Sequence, residues 1–374
     1  MNLIFKILKF FSAKWRFKIK KKPILIYDGA GNSKKNLSQI ISEKKINVFF
    51  NRGEEINIFI LLKVLFLKGF FNIKNNYRYE FIKTFNPKVI VTFIDTNLVF
   101  FKLKKLFPSI MFIAIQSGIK SKEILNQLNL NYSDNQIDYY FVFSKYYATE
   151  LKKKIKANFI VSGSFKSNMI DLKNTNSKDI ILISKQIPNQ GLPVPFHEFR
   201  ILKLLNDYSL KNKLKLDVVL KHDMCEEYHN FLIKNNLKNI TVKFSSSQYG
   251  SYKICKDYKI IVTSDSTLGY EMLALKKKVI FICYGSMESK KWNKKHNLPI
   301  SITRFGYPGF EKKNFGKFWI NYLDKKYIFK LLNEYIYMNE NKWYKKFEKT
   351  IFDVMPYNKN NSLLISILKK KINY

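Results

Sequence analysis

The feature that most constrains the fold is a repeated alternation, from Pro23 onward, of short apolar runs with segments of helical periodicity. Apolar runs rich in β-branched and aromatic residues are typical of buried strands, and their alternation with helices predicts a parallel sheet covered by helices. The first series of predicted strands is Ile24–Tyr27, Val48–Phe50, Val89–Ile94, Met111–Ile115, Tyr140–Phe143 and Phe159–Val161. The second series is Ile180–Ser184, Asp217–Lys221, Ile240–Phe244, Lys259–Val262 and Val279–Cys283.

A polar stretch, Ser164–Asp179, separates the two series and has no evident strand or helix pattern. We interpret it as a linker between two doubly wound, Rossmann-like α/β domains with a cleft between them. The predicted domains are residues 23–165 and 166–340, followed by C-terminal helices in residues 341–374 that could cross back to the first domain. Ligands of such sheets lie outside the carboxyl ends of the strands, so the cleft is the expected site.

Composition narrows the function classes. The chain has 67 Lys and Arg against 28 Asp and Glu, a formal net charge of +39. Either the protein binds a polyanion or an anionic lipid face, or biased residue usage spreads lysine over every solvated surface. The lysines are dispersed as well as clustered, which favours biased usage. Three widely spaced cysteines (Cys225, Cys255 and Cys283) predict neither a zinc site nor a disulfide framework, and they fit a reducing cytoplasm.

The N-terminal segment, residues 1–22, has the pattern of a basic amphipathic helix. Apolar residues recur at helical spacing from Leu3 to Phe11, and lysines and Arg16 surround them. Such a helix either lies on an anionic membrane surface or packs on the protein's own domain. No uncharged apolar run is long enough to span a bilayer. We therefore expect a cytoplasmic protein that could be peripheral on the inner face of the membrane.

The segment Tyr258–Ile282 contains the most informative motif. An apolar strand ends in a run of hydroxyl and acidic residues, and a helix begins at once; the motif residues are Ser264, Asp265, Ser266, Thr267, Gly269 and Glu271. A helix N-terminus offers free N–H groups and a positive dipole end, which favour phosphate. The glycine lets the backbone approach a ligand or the sheet closely. The motif therefore predicts a site for a nucleotide phosphate.

Simple helix capping is the alternative interpretation of this motif, with Asp265 or Ser266 as the N-cap residue. A capping box needs Glu or Gln three residues after the cap, but Leu268 and Gly269 occupy those positions. Glu271 is thus unexplained by capping. A carboxylate just beyond a phosphate site suits the hydroxyls of a ribose.

A second motif ends the predicted strand Asp217–Lys221, where Lys221, His222 and Asp223 follow one another. Parallel strands place it at the same sheet edge as the hydroxyl-rich motif. His222 could donate a hydrogen bond to a phosphate or leaving oxygen, and a histidine pKa is tunable near neutrality. A surface histidine at a strand end is the alternative.

Polar residues also end three predicted strands of the first domain. Asp28 and Asp95 each follow an apolar strand, and Gln116, Ser117 and Gly118 follow another. A carboxylate at this edge could be the general base that deprotonates an acceptor hydroxyl. Alternatively, each aspartate caps the next helix. Asp95 is the first candidate for the base and Asp28 the second, with Gln116, Ser117 and Gly118 as acceptor-binding residues.

Together, the segments VIVTFIDTN, FIAIQSGIKS, FIVSGSFKSN, IILISKQ and VTSDSTLGYEMLALKKKVIFI resemble the bacterial surface-carbohydrate biosynthesis family. The resemblance implies the two-domain GT-B glycosyltransferase fold. The element Lys221-His222-Asp223 is similar to the Lys-x-His-Pro element of transferases that use CMP-activated acid sugars. By that resemblance His222, Ser264 and Ser266 would hold the donor phosphate, with Lys221 and Gln186 in the same donor site. Asp223 stands in place of the family's proline.

The resemblance implies a glycosyltransferase that moves a sugar from a nucleotide-sugar donor to a glycan or glycolipid acceptor. Donor would bind the second domain and acceptor the first. The helix terminus would stabilise the departing phosphate electrostatically, so neither a metal ion nor another cofactor is expected. A nucleotide-sugar epimerase or hydrolase of the same fold is the first alternative.

A nucleic-acid-binding protein is the second alternative and is disfavoured. The basic, aromatic segments Phe318–Tyr327 and Asn341–Phe347 have the composition of a base-stacking surface. Their helical spacing instead predicts amphipathic helices with buried aromatic rings.

For the glycosyltransferase that the resemblance implies, the expected pathway is the synthesis of lipopolysaccharide or another cell-surface polysaccharide.

Overall fold

Two six-stranded parallel sheets organise the chain in the computed structural model. The structure describes residues 12–29, 32–120, 125, 134–171, 177–184, 196–264, 266–283 and 315–372. A small parallel pair, β1 (Lys14–Arg16) with β4 (Glu55–Asn57), stands beside the first sheet. The prediction of two doubly wound α/β domains is confirmed.

The first sheet has the order β3-β2-β5-β6-β7-β8 with every pairing parallel. Its strands are β2 (Ile24–Tyr27), β3 (Ile46–Phe49), β5 (Val89–Thr92), β6 (Met111–Ile115), β7 (Gln136–Val142) and β8 (Lys156–Val161). Every residue of β2 and β5 is buried, because helices cover both faces of the sheet. Continuous apolar runs are the expected result.

Among the described residues, five helices from the first half of the chain flank this first sheet or project from it. They are α1 (Ser33–Leu37), α2 (Ile58–Lys68), α3 (Ile73–Phe85), α4 (Leu98–Leu106) and α5 (Lys145–Lys152). Side chains set several helix starts: Asn57 Oδ1 accepts from the Ile60 N–H, and Asn97 Oδ1 accepts from the Val99 N–H. These caps satisfy backbone donors that a helix leaves unpaired.

The second sheet has the order β11-β10-β9-β12-β13-β14, also parallel throughout. Its strands are β9 (Lys178–Ile183), β10 (Leu216–Val219), β11 (Ile240–Lys243), β12 (Tyr258–Thr263), β13 (Val279–Ile282) and β14 (Trp319–Ile320). Its helices are α6 (Phe196–Lys211), α7 (Cys225–Lys234), α8 (Gly250–Cys255), α9 (Thr267–Ala274), α10 (Lys325–Ile336) and α11 (Glu340–Val354).

Both sheets reverse their strand order at one place. In the first, the chain runs outward from β2 to β3 and returns to β5; in the second, it runs from β9 through β10 to β11 and returns to β12. Such a reversal opens a crevice at the carboxyl ends of the two central strands. Asp28 follows β2, and Ser264 follows β12, so two motifs identified from sequence begin at these crevices.

The last helix, α12 (Ser362–Ile372), packs on the first sheet. Leu364, Leu368 and Ile372 belong to the same apolar cluster as Ile24 and Val89. The chain therefore crosses back to the first domain after completing the second.

The segment Ser164–Asp179 is not the free polar linker that its composition predicted. Ser164, Ser167 and Asn168 are buried, a 3-10 turn spans Ser167–Met169, and β9 already begins at Lys178. Asn168 Nδ2 donates to Asn361 Oδ1 at 3.0 Å. Polar residues are buried here because they bond to the turn that precedes α12, a long-range contact that composition cannot reveal.

The predicted N-terminal helix does not extend through residue 16. Lys14–Arg16 forms a strand against Glu55–Asn57, and Arg16 forms an ion pair with Glu55 at 2.9 Å. Residues 1–11 lie outside the described residues. Pairing with β4 satisfies the backbone of Lys14–Arg16 in a way that helical spacing alone did not indicate.

Three large aromatic rings of the basic C-terminal segments are buried. Phe318, Trp343 and Phe347 lie in the core, and Phe347 makes edge contacts with the other two. The predicted amphipathic helix with buried rings is confirmed for Asn341–Phe347, which lies in α11. It is wrong for Phe318–Tyr327, because this segment forms β14 and reaches α10 only at Lys325. These three buried rings cannot stack on bases.

Candidate active site

The carboxyl ends of the two sheets face each other across the domain boundary. Hydrogen bonds between described residues join the two sides, including Ile119 N to Thr267 Oγ1 (3.3 Å), Ser164 Oγ to Glu271 Oε1 (2.5 Å), Gln248 Nε2 to Asn36 Oδ1 (2.6 Å) and Tyr249 Oη to Gln39 Oε1 (2.6 Å). The motifs that follow the strands of both domains are therefore brought into one region.

On the second-domain side, the hydroxyl-rich motif occupies the turn from β12 into α9. Ser266 is the N-cap of α9, yet its hydroxyl accepts no hydrogen bond from the described N–H groups of the helix. Instead the Ser266 N–H donates to Thr263 Oγ1 at 3.3 Å. The simple capping interpretation of Ser266 is therefore wrong. Asp265 lies outside the described residues.

Gly269 is explained by packing against the sheet. A Cβ at this position would lie 2.5 Å from Thr263 Cγ2 and 3.3 Å from a ring carbon of Phe281. Only a residue without a side chain lets α9 approach β12 and β13 this closely. Of the two sequence interpretations, close approach to the sheet is the one observed.

Glu271 lies at the boundary between the domains and is buried. Its carboxylate accepts hydrogen bonds from the hydroxyls of Ser164, at 2.5 Å, and Tyr252, at 2.6 Å. Burial raises the pKa of Glu271, although Lys166 and these two hydroxyls act in the opposite direction. The contact of Glu271 with a ribose stays a prediction.

Lys221 and His222 lie just after β10, at the same edge of the sheet as Ser264. Both side chains are exposed. Partial burial and the neighbouring Lys221 charge lower the pKa of His222. The imidazole is therefore mostly neutral at pH 7, and a neutral imidazole donates one hydrogen bond and accepts another.

On the first-domain side, Asp95 is the centre of a buried polar network. Its carboxylate forms an ion pair with Lys120 at 2.6 Å and accepts hydrogen bonds from Ser117 Oγ (3.1 Å) and Tyr140 Oη (2.9 Å). The capping alternative for Asp95 is wrong, because Asn97 caps α4. Lys120, Ser117 and Tyr140 already donate to the Asp95 carboxylate, so it is less available to take a proton than a carboxylate with an unpaired oxygen, and its role as the base stays a prediction.

Gln116 bridges two loops at the same edge. Its Nε2 donates to the Gly118 carbonyl, and its Oε1 accepts from the Phe143 N–H, each at 2.9 Å. The side chain is buried, which contradicts direct binding of an acceptor by its amide. Gly118 lies beside the second domain, since a Cβ there would be 3.5 Å from Thr267 Oγ1.

Asp28 combines three unusual properties. Its backbone is left-handed (φ 62°), its side chain is 3% exposed, and Oδ1 has no hydrogen-bond partner among the described residues. Burial raises the pKa of Asp28, with the charge of Arg52 opposing. The cap of α1 is Asn32, so the capping alternative for Asp28 is also wrong. A buried carboxylate with an unpaired oxygen at a sheet crevice is typical of a functional residue.

Sequence reasoning missed four residues of this region: Lys120, Ser144, Ser164 and Tyr252. Lys120 neutralises Asp95, while Ser164 and Tyr252 hold Glu271. Ser144 Oγ, at the carboxyl end of β7, is buried without a partner among the described residues. Ser144 and Ser164 each follow a strand, which was the available signal; nothing local indicates Lys120 or Tyr252.

Within the described ranges, no group of three or more His, Cys, Asp and Glu side chains could hold a metal ion. No helix among the described residues is long and apolar enough to cross a membrane. Gln186, the remaining predicted donor residue, lies outside the described residues.

Residues 113–372 match the model of a protein family described as "putative O-antigen biosynthesis protein". The match spans well over half of the chain and includes both sides of the cleft from Gln116 to Glu271. The chain belongs to this family. This confirms the resemblance to surface-carbohydrate biosynthesis proteins. No curated protein sequence matches the chain.

Solved structures share the architecture. A Methanocaldococcus jannaschii UDP-GlcNAc 2-epimerase, in complex with UDP-GlcNAc and UDP, has a TM-score of 0.55 and 14% identity, covering 94% of this chain and 100% of that one. A Listeria monocytogenes protein described as a putative UDP-N-acetylglucosamine 2-epimerase has a TM-score of 0.55 and 10% identity, covering 95% and 98%. The wall teichoic acid polymerase TagF has a TM-score of 0.50 and 13% identity, covering 95% and 90%. At these identities the likeness shows the fold, which is of the GT-B type as predicted.

Proposed function

We propose that the protein is a glycosyltransferase that moves a sugar from a nucleotide-activated donor to a growing surface glycan or its lipid-linked precursor. Membership of an O-antigen biosynthesis family supports the pathway. The observation that carries the proposal is the contact of Thr267 Oγ1 with the Ile119 N–H at 3.3 Å. This contact brings the N-terminus of α9, where we expect a phosphate to bind, to the polar residues that follow the strands of the first domain.

The donor phosphate would bind at the start of α9. The hydroxyls of Ser266 and Thr267 and the N-terminal N–H groups of the helix suit a diphosphate or monophosphate leaving group. Ser264 precedes this turn, and Lys221 and His222 would complete the donor site from the end of β10, at the same edge of the sheet. Asp265 and Gln186 remain predicted donor residues on sequence alone. A neutral His222 would donate a hydrogen bond to the phosphate, and Lys221 would offset its charge. Glu271 would receive the ribose hydroxyls.

Asp28 is our assignment for the general base, in place of Asp95. Its unpaired oxygen and raised pKa suit proton removal from an acceptor hydroxyl near neutral pH. The deprotonated oxygen would attack the anomeric carbon of the donor sugar, and the bond from that carbon to the phosphate oxygen would break. The negative charge then passes to the phosphate at α9, which the helix N-terminus stabilises.

Asp95 would act as a positioning residue for the acceptor. Its ion pair with Lys120 and its bond from Ser117 fix the loop that contacts Thr267. Ser117 and the Gly118 backbone, rather than the Gln116 amide, would face the acceptor.

A thermal-shift screen with CMP, CDP, UDP and GDP tests the donor site, because a ligand that binds only the folded state raises the melting temperature. We expect one nucleotide to stabilise the wild type clearly and to stabilise a Thr267→Val, Ser266→Ala variant much less. Absence of stabilisation by every nucleotide would contradict the proposed donor site.

A nucleotide-sugar epimerase is the second candidate, because the two structures with a TM-score of 0.55 are described as UDP-GlcNAc 2-epimerases. Product analysis separates the two activities. NMR of the nucleotide sugar incubated with enzyme alone detects a new epimer, whereas a transferase leaves the donor configuration unchanged until an acceptor is added. An epimer formed without acceptor would replace our proposal by the second candidate.

A further inference from the structure

An uncovered apolar face runs along α2 of the first domain. This helix, IFILLKVLFLK, is apolar on all sides except at Lys63 and Lys68. Its inner side chains, Ile60, Leu61 and Val64, are buried against the domain. A helix that is apolar all round is expected in a protein interior or a membrane, yet half of α2 faces solvent.

The exposed residues form one continuous surface, which we name the hairpin patch. It consists of Phe59, Leu62, Phe66 and Leu67 on α2, and Phe70 and Phe71 in the turn to α3. Phe66, Phe70 and Phe71 are 90%, 83% and 86% exposed. Monomeric proteins rarely expose contiguous apolar patches of this kind unless they bind something there.

A basic groove adjoins the N-terminal end of α2. Its cationic lining residues are Arg16, Lys18, Lys20, Lys22 and Lys34. Asn57, the cap of α2, also lines the groove and donates to the Lys18 carbonyl at 3.2 Å, which ties the basic segment to the helix. The lining contains one carboxylate, Glu55, and Arg16 neutralises it. Lys34 is likewise paired with Glu43, which lies outside the lining. Lys18, Lys20 and Lys22 remain, so the groove has a net positive charge.

We propose that the hairpin patch and the basic groove together dock the protein on an anionic phospholipid bilayer. The phenylalanines would insert among the acyl chains near the headgroups, and Lys68 would extend its ammonium group toward lipid phosphates. Lys63 is instead paired with Glu80 of α3. The groove would attract further headgroups. A second copy of this chain is a poor occupant, because it would bring two positively charged surfaces together. This inference does not depend on the proposed glycosyl transfer.

Vesicle co-sedimentation tests the proposal with the full chain. Wild type should bind vesicles of phosphatidylglycerol and phosphatidylcholine and bind phosphatidylcholine vesicles weakly. The Phe66→Ser, Phe70→Ser, Phe71→Ser variant should lower the partition coefficient at least about tenfold, because it removes the inserted rings. A matched control, Tyr337→Ser with Phe352→Ser, removes two exposed aromatic residues of the second domain and should bind like wild type.

Two outcomes would overturn the docking surface. If the triple variant binds anionic vesicles as wild type does, the lysine excess alone attracts lipid and the patch has no part in it. If light scattering shows a wild-type dimer that the triple variant dissociates, the patch is instead an interface between copies. Circular dichroism of the triple variant should match wild type, since all three residues are exposed.

A Phe66→Trp variant gives an independent measurement of insertion. Brominated acyl chains quench indole fluorescence only within a short distance, so they should quench Trp at position 66 in anionic vesicles. If brominated lipid quenches the fluorescence of this variant no more than that of wild type, the hairpin stays in water. That result would overturn the proposal even if the protein binds the vesicles.

Discussion

At the residue scale, two aspartates that look alike in sequence have opposite environments. Asp95 is enclosed by Lys120, Ser117 and Tyr140, whereas Asp28 has an oxygen without a partner among the described residues. A carboxylate with a full set of donors is held in place, while one with an unpaired oxygen is available for a proton. Environment rather than residue type thus separates the positioning role that we propose for Asp95 from the proton transfer that we propose for Asp28.

Asp28→Asn should lower turnover by about 100-fold or more, since general base catalysis contributes that much. Nucleotide affinity should be unchanged, because Asp28 lies in the other domain. In wild type, activity should fall as pH decreases through the raised pKa of Asp28, above the ordinary aspartate range, because the carboxylate must be ionised to accept a proton. A pH–rate profile measures this, and a variant with full activity would exclude Asp28 as the base.

The same raised pKa has a consequence for stability. The folded state binds the proton of Asp28 more tightly than the unfolded state does, so its contribution to stability decreases as pH rises from 3.8 through the folded pKa. Asp28→Asn removes this term and should be no less stable than wild type at pH 7.

Asp95→Asn should lower the free energy of unfolding by about 3–5 kcal/mol, because it leaves Lys120 buried without a counter-charge. Urea unfolding measures the loss. Adding Lys120→Met should recover most of it, since no buried charge then remains. The control Asp134→Asn breaks the half-exposed pair with Lys105 and should cost at most about 1 kcal/mol. If Asp95→Asn loses no more free energy of unfolding than Asp134→Asn, the Asp95–Lys120 pair is not the buried, stabilising ion pair described here.

At the scale of elements, the close approach of α9 to β12 sets the position of the α9 N-terminus, where we propose that the donor phosphate binds. Gly269 permits that approach because nothing larger fits beside Thr263 and Phe281. The chain therefore needs a glycine in the first turn of a helix, where it costs about 1 kcal/mol relative to alanine. Packing of the helix on the sheet outweighs that preference.

Gly269→Ala should lower the free energy of unfolding by about 1–3 kcal/mol through overpacking, despite the better helix propensity of alanine. Thr263→Ser removes the methyl group that the new Cβ would meet and keeps the oxygen that accepts from Ser266. The double variant should therefore recover much of the lost stability in thermal unfolding. Equal stability of Gly269→Ala and wild type would show that α9 can shift without cost.

At the scale of the whole molecule, the two domains are joined at several separated places. Glu271 bonds to Ser164 across the boundary, Asn168 bonds to Asn361, and α12 returns to cover the first sheet. A ligand that binds in the cleft can change the first of these contacts without breaking the other two. If the donor binds as we propose, Glu271 would couple its binding to the contact between the two domains.

Glu271→Gln should weaken nucleotide binding about tenfold or more, because a neutral amide replaces a charged acceptor. Its stability should equal or exceed that of wild type at pH 7. Burial raises the pKa of Glu271, so ionisation makes wild type less stable as pH rises from 4.5 through the folded pKa, and Gln has no such term. Calorimetric titration and thermal unfolding measure the two effects.

Asp217→Asn is the control for Glu271→Gln. Asp217 is also a buried carboxylate of the second domain, bonded by Tyr258 and paired with Lys243 at 2.9 Å. It is the second residue of β10, toward the amino end of the strand, whereas the cleft lies at the carboxyl ends. The control should lose stability and keep nucleotide affinity. Unchanged affinity in both variants would remove Glu271 from the donor site.

The sequence by itself determined the two sheets, most of their strands and the edge at which polar residues collect. These follow from local physics: a strand buried on both faces must be apolar, and polar residues are tolerated again where it ends. The hydroxyl-rich turn before α9 and the carboxylates after β2 and β5 were found in this way. The second domain's start was mistaken for a linker, because its buried polar residues look like exposed ones.

Only the tertiary structure decided which aspartate is enclosed and which is unpaired. Two partners of Asp95, Ser117 and Lys120, come from the loop after β6, and the third, Tyr140, comes from β7. Those of Glu271 come from another domain and another helix. Residues far apart in sequence determine the electrostatic environment of each carboxylate, and a local sequence pattern does not indicate which residues these are. The exposure of the hairpin patch is likewise visible only in the tertiary structure. The sequence of an apolar helix is the same whether the helix is buried in a domain or exposed to solvent.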